Sequence, residues 1–192
     1  GASNDAGRSA GASGLWRGGW QERSHWERAK AWAVAMARPS SSMANSMKPG
    51  LAGGANENYA RELMQLFSIG LWELNQDGSL VIDGLGFAIP TYNQATVSQV
   101  ARTLTGWTYA TAPGATPQNN NWEYFGAPME PRQQNHDTSS KSFLGCTVPA
   151  GQTVQQDLDS LIDCLMNHPN IAPFVCTRLI RSLVMSNPSA GY

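Results

Sequence analysis

A strongly two-sided helical pattern between residues 56 and 70 constrains this chain more than any other feature. Asn56 can accept a hydrogen bond from an orphan N–H of the first turn, which makes it a good N-cap, and Gly70 suits a left-handed terminus. At about 100° per residue, apolar and polar side chains separate onto opposite faces. The apolar face comprises Tyr59, Ala60, Leu63, Met64, Leu66, Phe67 and Leu71; the polar face comprises Glu57, Asn58, Arg61, Glu62, Gln65 and Ser68. The pattern predicts a helix that packs along one side.

Three further helices are predicted toward the end of the chain. Asn93 can cap the second helix, and Thr153 with Gln156 matches a capping box for the third. Asn170 can begin a fourth helix. The expected core positions of these helices are Val97, Val100, Ala101 and Leu104; Leu158, Leu161, Ile162 and Leu165; and Ile171, Phe174, Val175, Leu179, Leu183 and Val184. On the third helix, Asp157, Asp159 and Asp163 are expected to face water.

The segments between the helices predict turns and loops. Asp77-Gly78 lies between two short apolar runs, which is typical of a β-hairpin. Residues 110–150 contain five prolines and are expected to form a long irregular segment, of a kind that is often functional or mobile. The sequence therefore predicts a mainly α fold, an irregular helical bundle fragment with long loops and a small β-hairpin.

Residues 1–48 differ in composition from the remainder of the chain. They contain four of the seven tryptophans but one leucine, one valine and no isoleucine or phenylalanine. Because a core cannot be built from such residues, we interpret this segment as non-native-like, frame-shifted translation; the alternative is a disordered tail or linker. Residues 49–192 are then a partial α-helical domain of a longer protein.

Several classes of protein are disfavoured by composition. The net charge of −1 shows no overall attraction to nucleic acid, and no apolar run reaches the roughly 20 residues of a membrane-spanning helix. Cys146, Cys164 and Cys176 lack the CxxC spacing of a zinc site. Buried thiols are the favoured interpretation, with a Cys164–Cys176 bridge as the alternative. No HExxH, EF-hand, P-loop, GxSxG or GxGxxG motif occurs, so neither a metal nor a cofactor is expected.

Four blocks of residues, in order and at similar spacing, resemble a large bacterial family known as domain of unknown function 1800. The blocks are Asn56–Leu63 with Phe67 and Gly70; Val100–Arg102 with Leu104–Trp107; His136-Asp137 with Lys141 and Leu144-Gly145; and His168-Pro169 with Phe174-Val175 and Leu179. The resemblance covers about residues 43–192. It implies a mostly helical, longer protein that is often exported to the periplasm or secreted, and that is often encoded beside another family, a potential protein partner.

The polar face of the first helix holds the first candidate site. Glu57 and Arg61 have the favourable order of an i, i+4 ion pair. Three interpretations are open: a solvated helix face, a buried polar network in a longer protein, or a functional site. In the last, Glu57 or Glu62 is a general acid or base, Arg61 grips an anion, and Asn58 contributes to binding.

His136 and Asp137 form the second candidate site. Histidine exchanges protons near neutral pH, and Lys141 nearby could bind an anion, although hydrogen bonds that only fix the loop explain the pair equally simply. Arg102 joins the candidates if it converges with Arg61 and His136. Trp107, with Trp122, Tyr124 and Phe125, could line a sugar-binding cleft, whereas core packing of Trp107 is the alternative.

Two functions follow from these residues. The first is a binding or assembly module that acts with a partner. The alternative is a hydrolase-like enzyme that uses Glu57 or Glu62, Arg61 and His136-Asp137 across one cleft. Convergence of Arg61, Arg102 and His136 around a solvent-accessible pocket would favour the enzyme, whereas Arg61 sealed against carboxylates would favour a structural role.

Overall fold

The computed structural model describes residues 46–188, which contain four α-helices and two small antiparallel sheets. The helices are α1 (Glu57–Gln65), α2 (Gln94–Thr103), α3 (Val154–Met166) and α4 (Ile171–Leu183). The strands are β1 (Trp107–Thr108) paired with β2 (Glu130–Pro131), and β3 (Lys141–Phe143) paired with β4 (Cys146–Val148). The four predicted helices are confirmed, but these short strands occupy part of the segment predicted to be irregular.

The beginnings of α1, α2 and α3 follow the predicted local signals, whereas α1 ends at Gln65, before the predicted terminus at Gly70. Asn56 accepts from the N–H of Asn58, Asn93 accepts from that of Thr96, and Thr153 forms a complete capping box with Gln156. Gly70 adopts φ 73°, a left-handed conformation that favours glycine. A Cβ at this position would also lie 2.6 Å from the Phe174 ring, so the glycine serves close packing as well.

The core lies around α2, which contacts α1, α3 and β3. Its side chains come from the predicted apolar faces and from β3 and β4. Those that are less than about a twentieth exposed include Ala60, Met64, Val97, Val100, Ala101, Phe143, Val148, Val154 and Leu161. The stripes of α2 and α3 and the first part of the α1 stripe therefore pack against one another, as amphipathic helices do. The rest of the predicted α1 face is wrong, because Leu66, Phe67 and Leu71 are 42%, 45% and 43% exposed and Ser68, predicted for the polar face, is buried.

Residues 46–48 are part of this packed unit. Ser46 is buried, its carbonyl accepts from the N–H of Gly106 at 2.8 Å, and its hydroxyl accepts from that of Asn56 at 3.0 Å. Lys48 N–H donates to the Asn135 carbonyl. Residues 1–45 and 189–192 lie outside the described residues, so the interpretation of the N-terminal segment as frame-shifted stays a prediction.

The cysteine prediction is wrong. Cys146 on β4 and Cys164 on α3 form a disulfide with a Cα–Cα distance of 6.2 Å, and Cys176 is an exposed free thiol. The packing of β4 against α3 brings the two Cα atoms within bridging range. Sequence spacing alone does not reveal that packing.

Residues 71–91, which we call the ribbon, form three short extended segments rather than one simple hairpin. The predicted turn at Asp77-Gly78 is present, with Leu74 bridged to Leu80. A third segment then closes a ring of backbone hydrogen bonds. Glu73 N–H donates to Ile89 O, Ile89 N–H donates to Val81 O, and Val81 N–H donates to Glu73 O. The ring satisfies backbone groups that a two-stranded hairpin would leave to water.

A single side chain fastens the ribbon to the start of α4. Asn170 is buried, and its amide donates to the carbonyls of Ile69 and Trp72 while its Oδ1 accepts from the N–H of Leu74. Asn170 makes no side-chain cap bond to its own helix. The predicted core face of α4 is wrong within the described residues, because Leu179, Leu183 and Val184 are all exposed. Helix α4 instead packs on the ribbon, and much of its apolar surface is open.

Candidate functional site

The candidate residues fall into separate polar clusters rather than one cleft. The first, which we call the Glu57 cluster, joins α1 to α2. Glu57 accepts from Arg61 Nη2 at 2.9 Å, from Gln94 Nε2 at 2.8 Å and from Ser98 Oγ at 2.6 Å. The Arg61 and Glu57 side chains are 43% and 32% exposed, respectively. This cluster is a partly solvated bridge between two helices.

The hydrogen-bond donors of this cluster lower the pKa of the Glu57 carboxyl. The Ser98 hydroxyl and the Gln94 amide lower the pKa of Glu57, burial opposes them, and Arg61 lowers it further. A carboxyl whose pKa is lowered is a poor proton donor near neutral pH. Asn58 and Glu62 are exposed on the same helix. Burial, with the Glu62 charge second, raises the pKa of Tyr59 to about 12.

The second cluster is fully buried, and we call it the Asp157 cluster. Lys141 Nζ lies 2.5 Å from Asp157 Oδ2, and His136 Nε2 lies 3.0 Å from the same oxygen. Lys141 Nζ also donates to the Asp137 carbonyl. All three side chains have 0% exposure. The prediction that Asp157 faces water is therefore wrong, because the Lys141 side chain from β3 and the His136 ring cover this carboxylate.

The histidine orientation in the Asp157 cluster is fixed by Thr105. His136 Nδ1 lies 2.8 Å from the Thr105 carbonyl, which can only accept, so Nδ1 carries a hydrogen. Nε2 therefore faces the Asp157 carboxylate at 3.0 Å, but the angle does not meet that of a hydrogen bond. The other carboxylate oxygen, Asp157 Oδ1, has no hydrogen-bond partner within the described residues. The Thr105 hydroxyl accepts from Asp137 N–H and donates to the Arg102 carbonyl.

Arg102 and Asp137 form a third contact at the edge of this region. Arg102 Nε donates to Asp137 Oδ2 at 2.7 Å, and Ser139 supplies further donors to Asp137. Burial raises the pKa of Asp137, but the Arg102 guanidinium and the Ser139 donors outweigh it, so the pKa lies well below its usual range. Adjacent His136 and Asp137 thus turn to different partners.

The structure does not bring the predicted site together. Arg61 contacts Glu57 and Gln94, Arg102 contacts Asp137, and the His136 ring contacts Asp157. Among residues 46–188, these three side chains share no carboxylate partner. Lys141 is sealed from solvent, which disfavours capture of an anion from solution.

Trp107 is a core residue, since it is 7% exposed and pairs with Pro131, while Trp122 and Phe125 are exposed. Among residues 46–188, no group of three or more metal-ligating side chains is present.

Replacing Arg102 with glutamine should cost about 1–3 kcal/mol near pH 6 and less near pH 3. The folded-state pKa of Asp137 lies below its unfolded value of about 3.9. Its carboxylate therefore stabilises the fold above that value, and the contribution is lost as the pH falls through the folded pKa. Removal of Arg102 lets the pKa of Asp137 rise, so the free energies of unfolding of the variant and the parent converge in acid.

Urea unfolding at pH 6 and pH 3 measures this convergence. Lys48→Gln removes one positive charge from a residue without a carboxylate partner in the described region, and its small effect should not change with pH. A stability gap for Arg102→Gln that stays constant or widens in acid would contradict the assignment.

Comparison with known proteins identifies one family. The family model described as protein of unknown function (DUF1800) matches residues 20–192, so the match begins before residue 43, where the resemblance was predicted to start. Neither the curated proteins nor the solved structures gave a match. Across residues 46–188, each helix is too short or too polar to cross a bilayer.

Proposed function

The chain belongs to the DUF1800 family of proteins of unknown function, and on that premise we propose that it is a binding module that docks a protein partner through the ribbon. The observation that carries the proposal is a group of large apolar side chains displayed on a rigid turn. Ile82, Leu85 and Phe87 are 49%, 83% and 68% exposed, respectively. Exposed apolar side chains grouped in this way mark interaction sites.

The turn that carries these side chains is held in one conformation. Asp83 Oδ1 accepts from the N–H groups of Leu85 and Phe87, each at 2.9 Å. Asp83 N–H donates to the Phe87 carbonyl, and Gly86 N–H donates back to the Asp83 carbonyl. Because the loop is already ordered, little conformational entropy of the loop would be lost when a partner binds.

The hydrolase alternative has less support in the geometry. The Asp157 cluster is sealed, and the Glu57 cluster presents a carboxyl group whose pKa is lowered by its hydrogen-bond donors. General acid–base chemistry requires a group within reach of a substrate and with a pKa near the working pH. Neither cluster offers both.

The disulfide supports placing the protein in an oxidising compartment. Cys146–Cys164 joins two core elements, and such bonds persist in secreted and periplasmic proteins but are rare in a reducing cytosol. An exported location is therefore part of the proposal, together with a partner that meets the protein there.

A photo-crosslinking amino acid at position 87 should give one discrete adduct of higher mass in cells that make the protein. The adduct should disappear when Leu85→Asp is added, because a charge on the neighbouring apolar side chain opposes burial against a partner. The adduct is detected by denaturing gel and identified by mass spectrometry.

Position 125 is the matched control, since Phe125 is 66% exposed but lies outside the ribbon. Equal crosslinking at 87 and 125, an adduct insensitive to Leu85→Asp, or a crosslink that stays within one polypeptide would each contradict the proposal.

A further inference from the structure

A cleft of about 500 Å³ separates the ribbon from α4, and its walls combine apolar and cationic groups. Trp72 and Leu80 line it from the ribbon, while Phe174, Thr177, Arg178 and Arg181 line it from α4. Ligand sites commonly occupy roughly 300–1,000 Å³ with apolar walls and a few polar groups that fix orientation. The cleft lies outside the Glu57 and Asp157 clusters.

The two arginines in the cleft are available for an anion. Both are exposed, and within residues 46–188 neither forms an ion pair with a carboxylate. Arg178 instead rests over the Phe174 ring, with Cζ 4.8 Å from its centroid. Residues three apart on a helix are neighbours on its surface, so Arg178 and Arg181 can act together.

The acidic groups of the ribbon are engaged elsewhere. Asp77 accepts from the N–H and hydroxyl of Ser79, and Asp83 holds its own turn. Glu73 lies near His168. The cleft therefore keeps a positive charge beside apolar walls.

The walls of the cleft are fixed relative to each other. Asn170 fastens the base of the ribbon to the beginning of α4, as described above, and Gly78 lies against Thr177, where a Cβ would approach Oγ1 to 2.6 Å. A preformed cleft of this kind binds without a large ordering cost.

We propose that this cleft binds an acidic peptide segment of the partner, with carboxylates on Arg178 and Arg181 and an apolar side chain between Trp72 and Leu80. The inference rests on the proposed function, since it names the chemistry of the docking partner. Guanidinium groups grip carboxylates in a bidentate manner, and the ribbon and cleft together offer apolar contact for neighbouring side chains. The charge complementarity favours an acidic peptide over a basic or uncharged one.

Fluorescence polarisation with labelled hexapeptides tests the inference on the full 192-residue chain. A peptide that alternates glutamate and leucine should bind, whereas versions with lysine for glutamate or serine for leucine should bind at least about tenfold more weakly. Arg178→Gln and Arg181→Gln should each weaken binding of the glutamate–leucine peptide about tenfold, and Lys48→Gln should not. Arg178→Glu combined with Arg181→Glu should prefer the lysine–leucine peptide, provided that its circular dichroism matches the parent.

Other outcomes overturn the inference. These are equal binding of all three peptides, undiminished binding by the arginine variants, or binding of free phosphate with no binding of the acidic peptide. A chain that dimerises through α4, with dimerisation weakened by Arg178→Gln, would also overturn it by making a second copy the occupant. Peptide binding without the crosslink at position 87 would contradict the proposed docking through the ribbon. The crosslink without peptide binding would contradict the acidic-peptide site in the cleft and leave the proposed docking through the ribbon in place.

Discussion

Replacing Lys141 with methionine should destabilise the fold by about 3–5 kcal/mol, the largest effect expected of any single substitution in the described region. Lys141 and Asp157 are both fully buried, and the ammonium lies 2.5 Å from Asp157 Oδ2. Without the lysine, a buried carboxylate keeps only the His136 ring as a polar side-chain neighbour within the described region, while the Asp137 carbonyl loses the Lys141 donor. Urea unfolding followed by circular dichroism measures the change.

A double variant separates the charge effect from a packing effect. Lys141→Met combined with Asp157→Asn removes both charges while keeping similar volumes, so much of the lost stability should return. Lys48→Met is the matched control, since this lysine is only partly buried and should change stability by less than about 0.5 kcal/mol. A loss for Lys141→Met no larger than that of Lys48→Met would show that the Asp157 cluster contributes little.

Removal of the disulfide should cost about 3 kcal/mol of stability. Cys146 and Cys164 are separated by 18 residues, and opening a loop of that size returns conformational entropy to the unfolded chain. The bond also ties β4 to α3, close to Lys141 on β3 and to Asp157. Replacing both cysteines with alanine should therefore lower the urea midpoint, and reducing agent should lower that of the parent by a similar amount.

Cys176→Ala controls for loss of a cysteine that forms no bond. Its thiol is exposed, so Cys176→Ala should unfold at the urea midpoint of the parent. Reducing agent should lower the midpoint of Cys176→Ala by the same amount as it lowers that of the parent. If the double alanine variant unfolds at the parent midpoint, or if reducing agent affects it as strongly as the parent, then the Cys146–Cys164 bond is not the source of stability.

Much of the local structure was predictable because its signals act over a few residues. The Asn56 and Asn93 caps, the Thr153 capping box, and the turn at Gly78 each depend on neighbours within one helical turn. The apolar stripes of the first three helices likewise predict burial, since an amphipathic helix has one energetically favourable side. The caps, the turn and the stripes of α2 and α3 were right without any knowledge of tertiary contacts, whereas Leu66, Phe67 and Leu71 of the first predicted stripe are exposed.

The stripe on α4 shows where this reasoning fails. A pattern states which side of a helix is apolar, but it does not state whether another element covers that side. Leu183 is 78% exposed within the described region, although its spacing is that of a core residue. The cleft that holds Arg178 and Arg181 lies on a different side of α4, and Phe174 is the member of the predicted stripe that lines it.

The candidate site required long-range contacts that no spacing encodes. Asp157 lies at the edge of the buried stripe of α3, three residues after Val154 and four before Leu161, but only the fold brings Lys141 on β3 and His136 from the preceding loop onto it. Asn170 begins α4 as expected, but its side chain bonds to carbonyls and an N–H about a hundred residues earlier rather than capping the helix. Buried polar groups must find partners wherever the chain places them.

The sequence by itself determined the helices, their caps, the turn of the ribbon and the family to which the chain belongs, because each is written in residues close along the chain or in their order. Only the tertiary structure decided which polar side chains meet, which cysteines bond and which apolar faces stay open. Those outcomes depend on the packing of segments that are distant in sequence, and burial then fixes the partner of each charge.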